Sequence, residues 1–301
     1  MIKSLDEIVN KVSGLPKNTI AVAQAADEEI LQIAELAIKK ELANFIFVGD
    51  RELIKRMIKN GNYELDNVEI IQADDEVSCA TKTVELVRWG KADIPMKGLL
   101  ATSSFMKAVL DKEKGLRSDK LISQITITDN IHNNGLNFIT DCAINISPDL
   151  NTKKEILQNA VYLAHNFGYN CPKVAVLTAL EKVNPAMPET IDAAILSKMN
   201  DRNQIKNCIV DGPFALDNAI SELSAKHKGI ESPVAGKADI LLVSDLRMGN
   251  VLHKAITYFA NKRVGCAIIG TTSPLVMTSR SDTVEDKLIS IAISSYLVSH
   301  S

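Results

Sequence analysis

The stretch TIAVAQAADEEILQIAELAIKKELANFIFVGD, residues Thr19–Asp50, decides the fold class. It begins with TIAVAQA and ends with FIFVGD, two short aliphatic runs that have the length of buried strands. Between them, DEEILQIAELAIKKELA repeats apolar residues at helical spacing. A strand, a helix and a second strand form a βαβ unit, in which a right-handed crossover buries a parallel sheet. The stretch therefore predicts an α/β fold.

The same alternation continues along the chain, except between Leu121 and Ala143. There two strand-like runs, ISQITITD and LNFITDCAI, follow each other and are joined by the polar turn NIHNNG. This pattern predicts an antiparallel pair inside an otherwise mostly parallel sheet. We predict two α/β domains, the first formed by residues 1–142 and 284–301, so that the final helix packs back on it, and the second by residues 143–283.

The composition excludes several classes of partner. A chain of 301 residues is long enough for two domains. Its formal net charge of −3 gives no electrostatic footprint for nucleic acid or an anionic membrane. The first twenty residues carry acids in a helical pattern, unlike a signal peptide, and no uncharged apolar run is long enough to span a bilayer. These features predict a soluble, cytoplasmic protein with neither nucleic acid nor a membrane as partner.

The common motifs of cofactor and metal sites are missing from the sequence. It contains no G-x-G-x-x-G after the first strand, no P-loop, no H-E-x-x-H and no G-x-S-x-G. The five histidines are scattered, and the five cysteines form no C-x-x-C pair. We therefore predict no metal site, and we expect the cysteines to be small core residues in a reducing compartment.

A polar stretch near the end of the chain is the best candidate for a binding site. In TSRSDTVEDKL, Arg280 is flanked by the hydroxyl groups of Thr278, Ser279 and Ser281. A guanidinium group donates two parallel charge-assisted hydrogen bonds, which suits a phosphate group or an acyl phosphate. Asp286 follows in the first turn of the predicted last helix, where the helix dipole favours its ionised form.

A second interpretation of the same stretch is purely structural. Ser281 or Asp282 would be the N-cap of the last helix, and Glu285 or Asp286 would be the acid of a capping box. The spacing of the residues is compatible with both interpretations.

Several motifs resemble one protein family. TSRSDTVEDK (Thr278–Lys287) resembles the Ser-Arg-x-x-x-Val-x-Asp signature of the phosphotransacetylases and phosphotransbutyrylases. Three further motifs resemble the same family: ITDCAINISP (Ile139–Pro148), VDGPFALDNAI (Val210–Ile220) and DLRMGNVLHK (Asp245–Lys254). Three others resemble its butyryltransferase branch: MKGLLATSSFMKAVL (Met96–Leu110), GLRSDK (Gly115–Lys120) and EKVNPAMPETIDAAILSKMNDR (Glu181–Arg202). Together these motifs extend over essentially the whole chain.

The resemblance implies an acyltransferase that interconverts butanoyl-CoA and phosphate with butanoyl phosphate and CoA by direct displacement. The alternative substrate is acetyl-CoA. The resemblance also implies that no cofactor is tightly bound, that the coenzyme A thioester is a substrate, and that the protein is a homo-oligomer. The implied architecture is that of isocitrate and isopropylmalate dehydrogenases, two α/β domains with mostly parallel sheets around an interdomain cleft that holds the active site.

The resemblance also implies roles for individual residues. Arg280 would bind the phosphoryl group and stabilise the oxyanion together with Ser279, and Asp286 would take the proton from the CoA thiol. The residues implied for binding phosphate or CoA are Thr278, Lys107, Arg117, and Gly249 with Asn250 in a loop before a helix. Lys107 lies where many relatives carry arginine, and an ammonium group cannot make the bidentate contact. The acyl chain needs an apolar slot, for which the expected lining is Leu99, Leu100, Phe105 and Met106.

Two other classes of protein compete with this interpretation. An NAD-dependent dehydrogenase of the related decarboxylating fold would need a trio of metal-binding carboxylates and a basic catalytic residue, and we find no such set in the sequence. A binding protein for CoA or phosphate would keep the scaffold without catalysis.

Overall fold

Strands and helices alternate as predicted along most of the described residues of this computed structural model, 1–130, 134–279 and 281–300. The strands are β1 (Thr19–Ala23), β2 (Asn44–Gly49), β3 (Glu69–Gln72), β4 (Ile94–Lys97), β5 (Ser123–Asn130), β6 (Gly135–Thr140), β7 (Lys173–Leu177), β8 (Ile209–Phe214), β9 (Ile240–Leu242) and β10 (Gly265–Ile269). The helices are α1 (Leu5–Ser13), α2 (Glu28–Lys39), α3 (Arg51–Gly61), α4 (Glu76–Arg88), α5 (Thr102–Val109), α6 (Leu150–Asn166), α7 (Pro188–Asp201), α8 (Leu216–Ile220), α9 (Glu222–His227), α10 (Leu246–Lys254) and α11 (Val284–Ser299). A π-helical turn, Ala255–Phe259, follows α10.

The chain divides into two compact units. We call residues 6–120 and 265–301 the terminal unit, and residues 1–5 and 121–264 the central unit. The sheet of the terminal unit has the order β3-β2-β1-β4, and all its pairings are parallel. Its central strand β1 is buried because it is aliphatic on both faces, as parallel strands usually are.

The end of the chain packs within the terminal unit. Helix α11 lies against β10 and α2, and every residue from Asp286 to Leu297 is buried. Gly265 permits this approach, because a Cβ atom there would lie 2.4 Å from the Cδ1 atom of Ile293. After β10 the chain runs beside β4, and Val276 forms a parallel bridge with Met96. This pairing brings the residues after Val276 to the carboxyl end of β4.

The sheet of the central unit is mixed. Its strands follow the order β5-β6-β9-β7-β8. β5 and β6 are antiparallel, which confirms the predicted pair, and the other pairings are parallel. Residues 131–133 of the predicted turn lie outside the described residues.

The observed division of the chain differs from the predicted boundaries at 142/143 and 283/284. The chain instead passes from the terminal unit to the central unit between residues 120 and 121, and returns between residues 264 and 265. The first shifts because β6 pairs with β9, with Thr140 opposite Leu242, so the antiparallel pair belongs to the sheet of the central unit. The second boundary lies earlier than predicted because β10 packs against α11, and Val276, which follows β10, pairs with Met96 of β4.

Among the helices of the described residues, none combines sufficient length with sufficient apolar character to cross a bilayer.

Candidate functional site

A small cavity lies in the terminal unit where strands end and helices begin. We call it the Ser279 cavity; its volume is about 130 Å³, and it is lined by Asp27, Glu29, Ile30, Lys97, Gly98, Leu99, Thr278, Ser279 and Lys287. These residues come from the carboxyl end of β4, the first turns of α2 and α11, and the segment after Val276. In open α/β sheets this edge is where ligands bind, and helix N-termini favour anions.

Glycine at position 98 closes one wall of the Ser279 cavity. The Gly98 amide donates to the Ala23 carbonyl oxygen at 2.9 Å, and the Leu99 amide donates to the Gln24 carbonyl oxygen at 3.0 Å. A Cβ atom at Gly98 would lie 2.4 Å from the Ala23 oxygen. Only glycine therefore lets the chain after β4 lie so close to the end of β1.

The predicted hydroxyl cluster is present on the opposite wall. Thr278 is half-buried and Ser279 is exposed, and both line the cavity. The Oγ atoms of Ser279 and Ser281 are 3.0 Å apart. The Asp282 carboxylate accepts a hydrogen bond from the Ser279 amide at 2.8 Å, which holds the segment in a tight turn. Arg280, the predicted centre of this cluster, lies outside the described residues.

The capping interpretation is correct for Asp286, with a different partner from those predicted. The N-cap of α11 is Thr283, neither Ser281 nor Asp282. The Asp286 amide donates to Thr283 Oγ1 at 3.1 Å, and the Asp286 carboxylate accepts from the Thr283 hydroxyl at 2.7 Å. Asp286 is 5% exposed. A carboxylate has two oxygens and about four acceptor positions, so capping the helix does not by itself exclude a chemical role.

Sequence reasoning missed two lysines that line the Ser279 cavity. The Lys97 ammonium donates to the carbonyl oxygens of Gly98 at 3.2 Å and Leu100 at 3.3 Å. The Lys287 ammonium lies 2.6 Å from the Glu29 carboxylate, and its side chain is only 4% exposed. The only local signal for Lys287 is a basic residue in the first turn of a helix, where the dipole favours acids.

Two of the predicted phosphate- or CoA-binding residues lie away from this cavity. Lys107 is exposed in the last turn of α5. Arg117 is exposed and lines a different cavity of the terminal unit, about 640 Å³ in volume, beside Lys112 and Glu113. The structure does not bring either residue to the Ser279 cavity.

The four residues predicted to line the acyl slot differ in exposure. Leu99 is 40% exposed and lines the Ser279 cavity, and Met106 is half-buried. Leu100 and Phe105 are buried in the core at 1% and 0% exposure. These two side chains can support the wall of a slot, but they do not face an open surface.

Gly249 and Asn250 do not lie in a loop before a helix, which corrects that prediction. They are the fourth and fifth residues of α10, whose N-cap is Asp245. The Gly249 amide donates to the Asp245 carbonyl oxygen at 3.1 Å, so this amide forms a hydrogen bond of the helix. A Cβ atom at Gly249 would lie 2.4 Å from the Asp141 carbonyl oxygen. The glycine is needed for close packing of α10.

The turn beneath Gly249 is fixed by a buried carboxylate. The Asp141 side chain accepts hydrogen bonds from the amides of residues 143, 144 and 145 at 2.9, 3.1 and 3.0 Å. It also accepts from the Gln124 amide at 3.2 Å and the Asn145 side chain at 2.6 Å. This network explains the polar residues of the ITDCAINISP motif and leaves the turn little freedom to yield.

Replacing Gly249 by alanine should therefore destabilise the protein. A methyl group meets backbone atoms of a rigid turn, and we expect a net loss of about 1–3 kcal/mol even though alanine favours helices by about 1 kcal/mol. Urea denaturation measures the free energy of unfolding. The matched control is Gly14→Ala, where a Cβ atom meets only the Lys11 carbonyl oxygen at 3.6 Å. Equal stability of the two variants would contradict the packing argument.

Four of the five cysteines are buried. Cys79, Cys142, Cys208 and Cys266 are buried as predicted, whereas Cys171 is exposed. Burial raises the pKa of the Cys208 thiol to about 12 and also raises the pKa of Cys79. Within the ranges that the structure describes, no three histidine, cysteine, aspartate or glutamate side chains lie together as metal ligands would.

Comparison with known proteins identifies the family. The family described as phosphate acetyl/butaryl transferase matches residues 73–295. The chain is 45% identical to the phosphate butyryltransferase of Clostridium acetobutylicum over 97% of both chains. It is 41% identical to the phosphate acetyltransferase of Thermotoga maritima, over 96% of this chain and 98% of that one.

A solved structure supports the same assignment. The branched-chain phosphotransacylase of Enterococcus faecalis V583 superposes with a TM-score of 0.82 and 33% sequence identity, over 94% of this chain and 100% of that chain. The signature residues Thr278–Lys287 fall inside the matched range, and three of them, Thr278, Ser279 and Lys287, line a cavity of the terminal unit. On these grounds the chain belongs to the phosphate acetyl/butaryl transferase family.

Proposed function

We propose that the protein transfers a butanoyl group reversibly between coenzyme A and phosphate, forming butanoyl phosphate and CoA. The observation that supports this proposal best is the meeting of Thr278 and Ser279 with the ammonium groups of Lys97 and Lys287 around one cavity. Hydroxyl and ammonium donors at the carboxyl edge of a parallel sheet suit a phosphate anion. The relatives named phosphate butyryltransferase favour butanoyl-CoA as the thioester.

The proposed mechanism is a direct displacement. A phosphate oxygen attacks the thioester carbonyl carbon, a tetrahedral oxyanion forms, and the carbon–sulfur bond then breaks to release CoA. Arg280 would bind the phosphate and stabilise the oxyanion, and Ser279 would donate to the same centre. Preorganised donors of this kind supply a large part of the rate enhancement, and positioning of the two substrates supplies another.

In the reverse direction the CoA thiol must lose a proton, and we assign its removal to Asp286. The hydrogen bond from Thr283 fixes one oxygen of this carboxylate. A carboxylate can accept the thiol proton, and such a transfer is most efficient between groups of similar pKa. The mechanism needs no tightly bound cofactor, because the coenzyme A thioester is itself a substrate.

We also assign roles to the other residues that the sequence predicted for binding phosphate, CoA and the acyl chain. Thr278 would bind phosphate at the Ser279 cavity, and Lys107 and Arg117 would contact CoA from their exposed positions. Leu99 and Met106 would line the acyl slot, supported from behind by Leu100 and Phe105. A homo-oligomer and the likeness to isocitrate and isopropylmalate dehydrogenases stay predictions.

The alternative substrate is acetyl-CoA. It is a specific alternative because one of the similar proteins is the phosphate acetyltransferase of Thermotoga maritima. One methylene in an apolar pocket changes the transition-state free energy by about 1–3 kcal/mol, or about 10- to 200-fold in kcat/KM. Butanoyl-CoA has two methylenes more than acetyl-CoA. We therefore expect kcat/KM for butanoyl-CoA to exceed that for acetyl-CoA about tenfold or more.

A panel of acetyl-, propanoyl-, butanoyl- and hexanoyl-CoA tests this expectation, with the released thiol measured by a disulfide dye. Each reaction is repeated without phosphate, because a hydrolase would release CoA under both conditions and a phosphotransacylase only when phosphate is present. A preference for acetyl-CoA would assign the acetyl substrate instead.

A further inference from the structure

We propose that Lys287 is a phosphate-binding residue of the Ser279 cavity and that Glu29 positions it and weakens phosphate binding. The inference rests on the proposed function, because it assigns phosphate to this cavity. It adds an ion pair to the hydroxyl groups of Thr278 and Ser279, which line the same cavity.

Lys287 lies where a lysine is unfavourable. It is the fourth residue of α11, near the positive end of the helix dipole, where a cation is destabilising. Its side chain is 4% exposed, and burial of an ammonium group costs free energy unless the group is paired. The contact with Glu29 at 2.6 Å offsets that cost. A hydrophobic residue would serve packing alone with less cost, so the charge requires a further explanation.

The geometry of the cavity supplies that explanation. Glu29 and Lys287 line the same space as Thr278 and Ser279. Glu29 itself is 40% exposed, so the pair is buried on the side of α11 and open on the side of α2. A phosphate held by the two hydroxyl groups would lie within the cavity that the Lys287 ammonium borders. Lys287 therefore presents a positive charge to the position of the anion.

The size of the cavity favours inorganic phosphate over the phosphate groups of CoA. Its volume is about 130 Å³, and sites for drug-sized ligands usually occupy about 300–1,000 Å³. A tetrahedral anion is therefore a better match to this space than a nucleotide is.

Lys287 and Glu29 should have opposite effects on the affinity for phosphate. Lys287 attracts the anion. Glu29 repels it and also competes with it for the ammonium group. If the pair only held α11 against α2, removal of either charge would leave the other unpaired, and both substitutions would act in the same direction. The sign of the effect therefore separates ligand binding from a structural role.

The experiment compares Lys287→Met and Glu29→Gln in steady-state kinetics at varied phosphate and varied butanoyl-CoA. For Lys287→Met we expect the KM for phosphate to rise about tenfold or more, as for one lost charge-assisted hydrogen bond, and the KM for butanoyl-CoA to change little. For Glu29→Gln we expect the KM for phosphate to fall about threefold. Lys39→Met is the matched control, because it removes an ion pair with Glu35 at the other end of α2, and neither residue lines the cavity.

A binding measurement keeps this inference separate from the proposed function. Calorimetric titration with inorganic phosphate, and in parallel with CoA, needs no turnover. Weaker phosphate binding by Lys287→Met with unchanged CoA binding would support the inference even if no acyl-CoA reacted. Unchanged phosphate affinity in Lys287→Met, weaker phosphate affinity in Glu29→Gln, or no phosphate binding by the unsubstituted protein would each overturn it. If Lys287→Met does not fold, Glu29→Gln still decides the sign, because tighter phosphate binding is expected of ligand repulsion and weaker binding of a structural pair.

Discussion

Replacement of Arg280 by alanine should lower turnover about a hundredfold or more, the scale of one lost transition-state donor. Thr278 and Ser279, which precede Arg280 in the sequence, line a cavity at the carboxyl edge of the terminal sheet, a position suited to an anion. If Arg280 stabilises charge that develops on the oxyanion, kcat falls as well as kcat/KM, because the interaction is strongest in the transition state.

Two further variants make the Arg280 result specific. Arg280→Lys keeps the charge but loses the two parallel hydrogen bonds, so we expect a turnover between those of the alanine variant and the unsubstituted enzyme. Arg56→Ala, on the exposed surface of α3, should leave kcat and KM unchanged. Near-normal turnover of Arg280→Ala would remove the guanidinium from the mechanism and favour a protein that binds CoA or phosphate without catalysis.

The sequence predicted the order of strands and helices because period and length are local properties. Alternation of aliphatic runs with amphipathic ones was sufficient to place β1, α2 and β2, and two adjacent strands without a helix between them marked β5 and β6. The unit boundaries depend instead on partners distant in the sequence. The pairing of β6 with β9, and of Val276 with Met96, joins segments separated by many helices and has no local signal.

The same distinction applies to the candidate site. The cluster of hydroxyl groups at Thr278 and Ser279 is contiguous, and composition was enough to find it. Glu29 and Lys287 meet only because α2 and α11 begin at the same edge of the sheet. Gly249 was misplaced for a different reason: its position in a loop was taken from the family resemblance, and nothing near it in the sequence shows the Asp141 turn against which it packs.

Replacement of Asp286 by asparagine should separate the two roles that this residue can have. Asparagine is nearly isosteric and keeps an oxygen that accepts hydrogen bonds from Thr283, so the capping box is largely retained. It cannot accept a proton. If Asp286 is the base for the CoA thiol, turnover falls about 10²- to 10⁴-fold in the direction of butanoyl-CoA synthesis. Microscopic reversibility requires the opposite direction to slow as well.

Thr283→Ala is the complementary variant, because it removes the hydroxyl that caps α11 and leaves the carboxylate in place. Loss of an N-cap costs about 0.5–2 kcal/mol of stability, so this variant should unfold at lower urea concentration. Its turnover should fall much less than that of Asp286→Asn, since the proton acceptor is still present. If instead Asp286→Asn kept its turnover and both variants lost only stability, the carboxylate would be a capping group alone. The thiol proton would then pass to solvent or to another acceptor of the terminal unit.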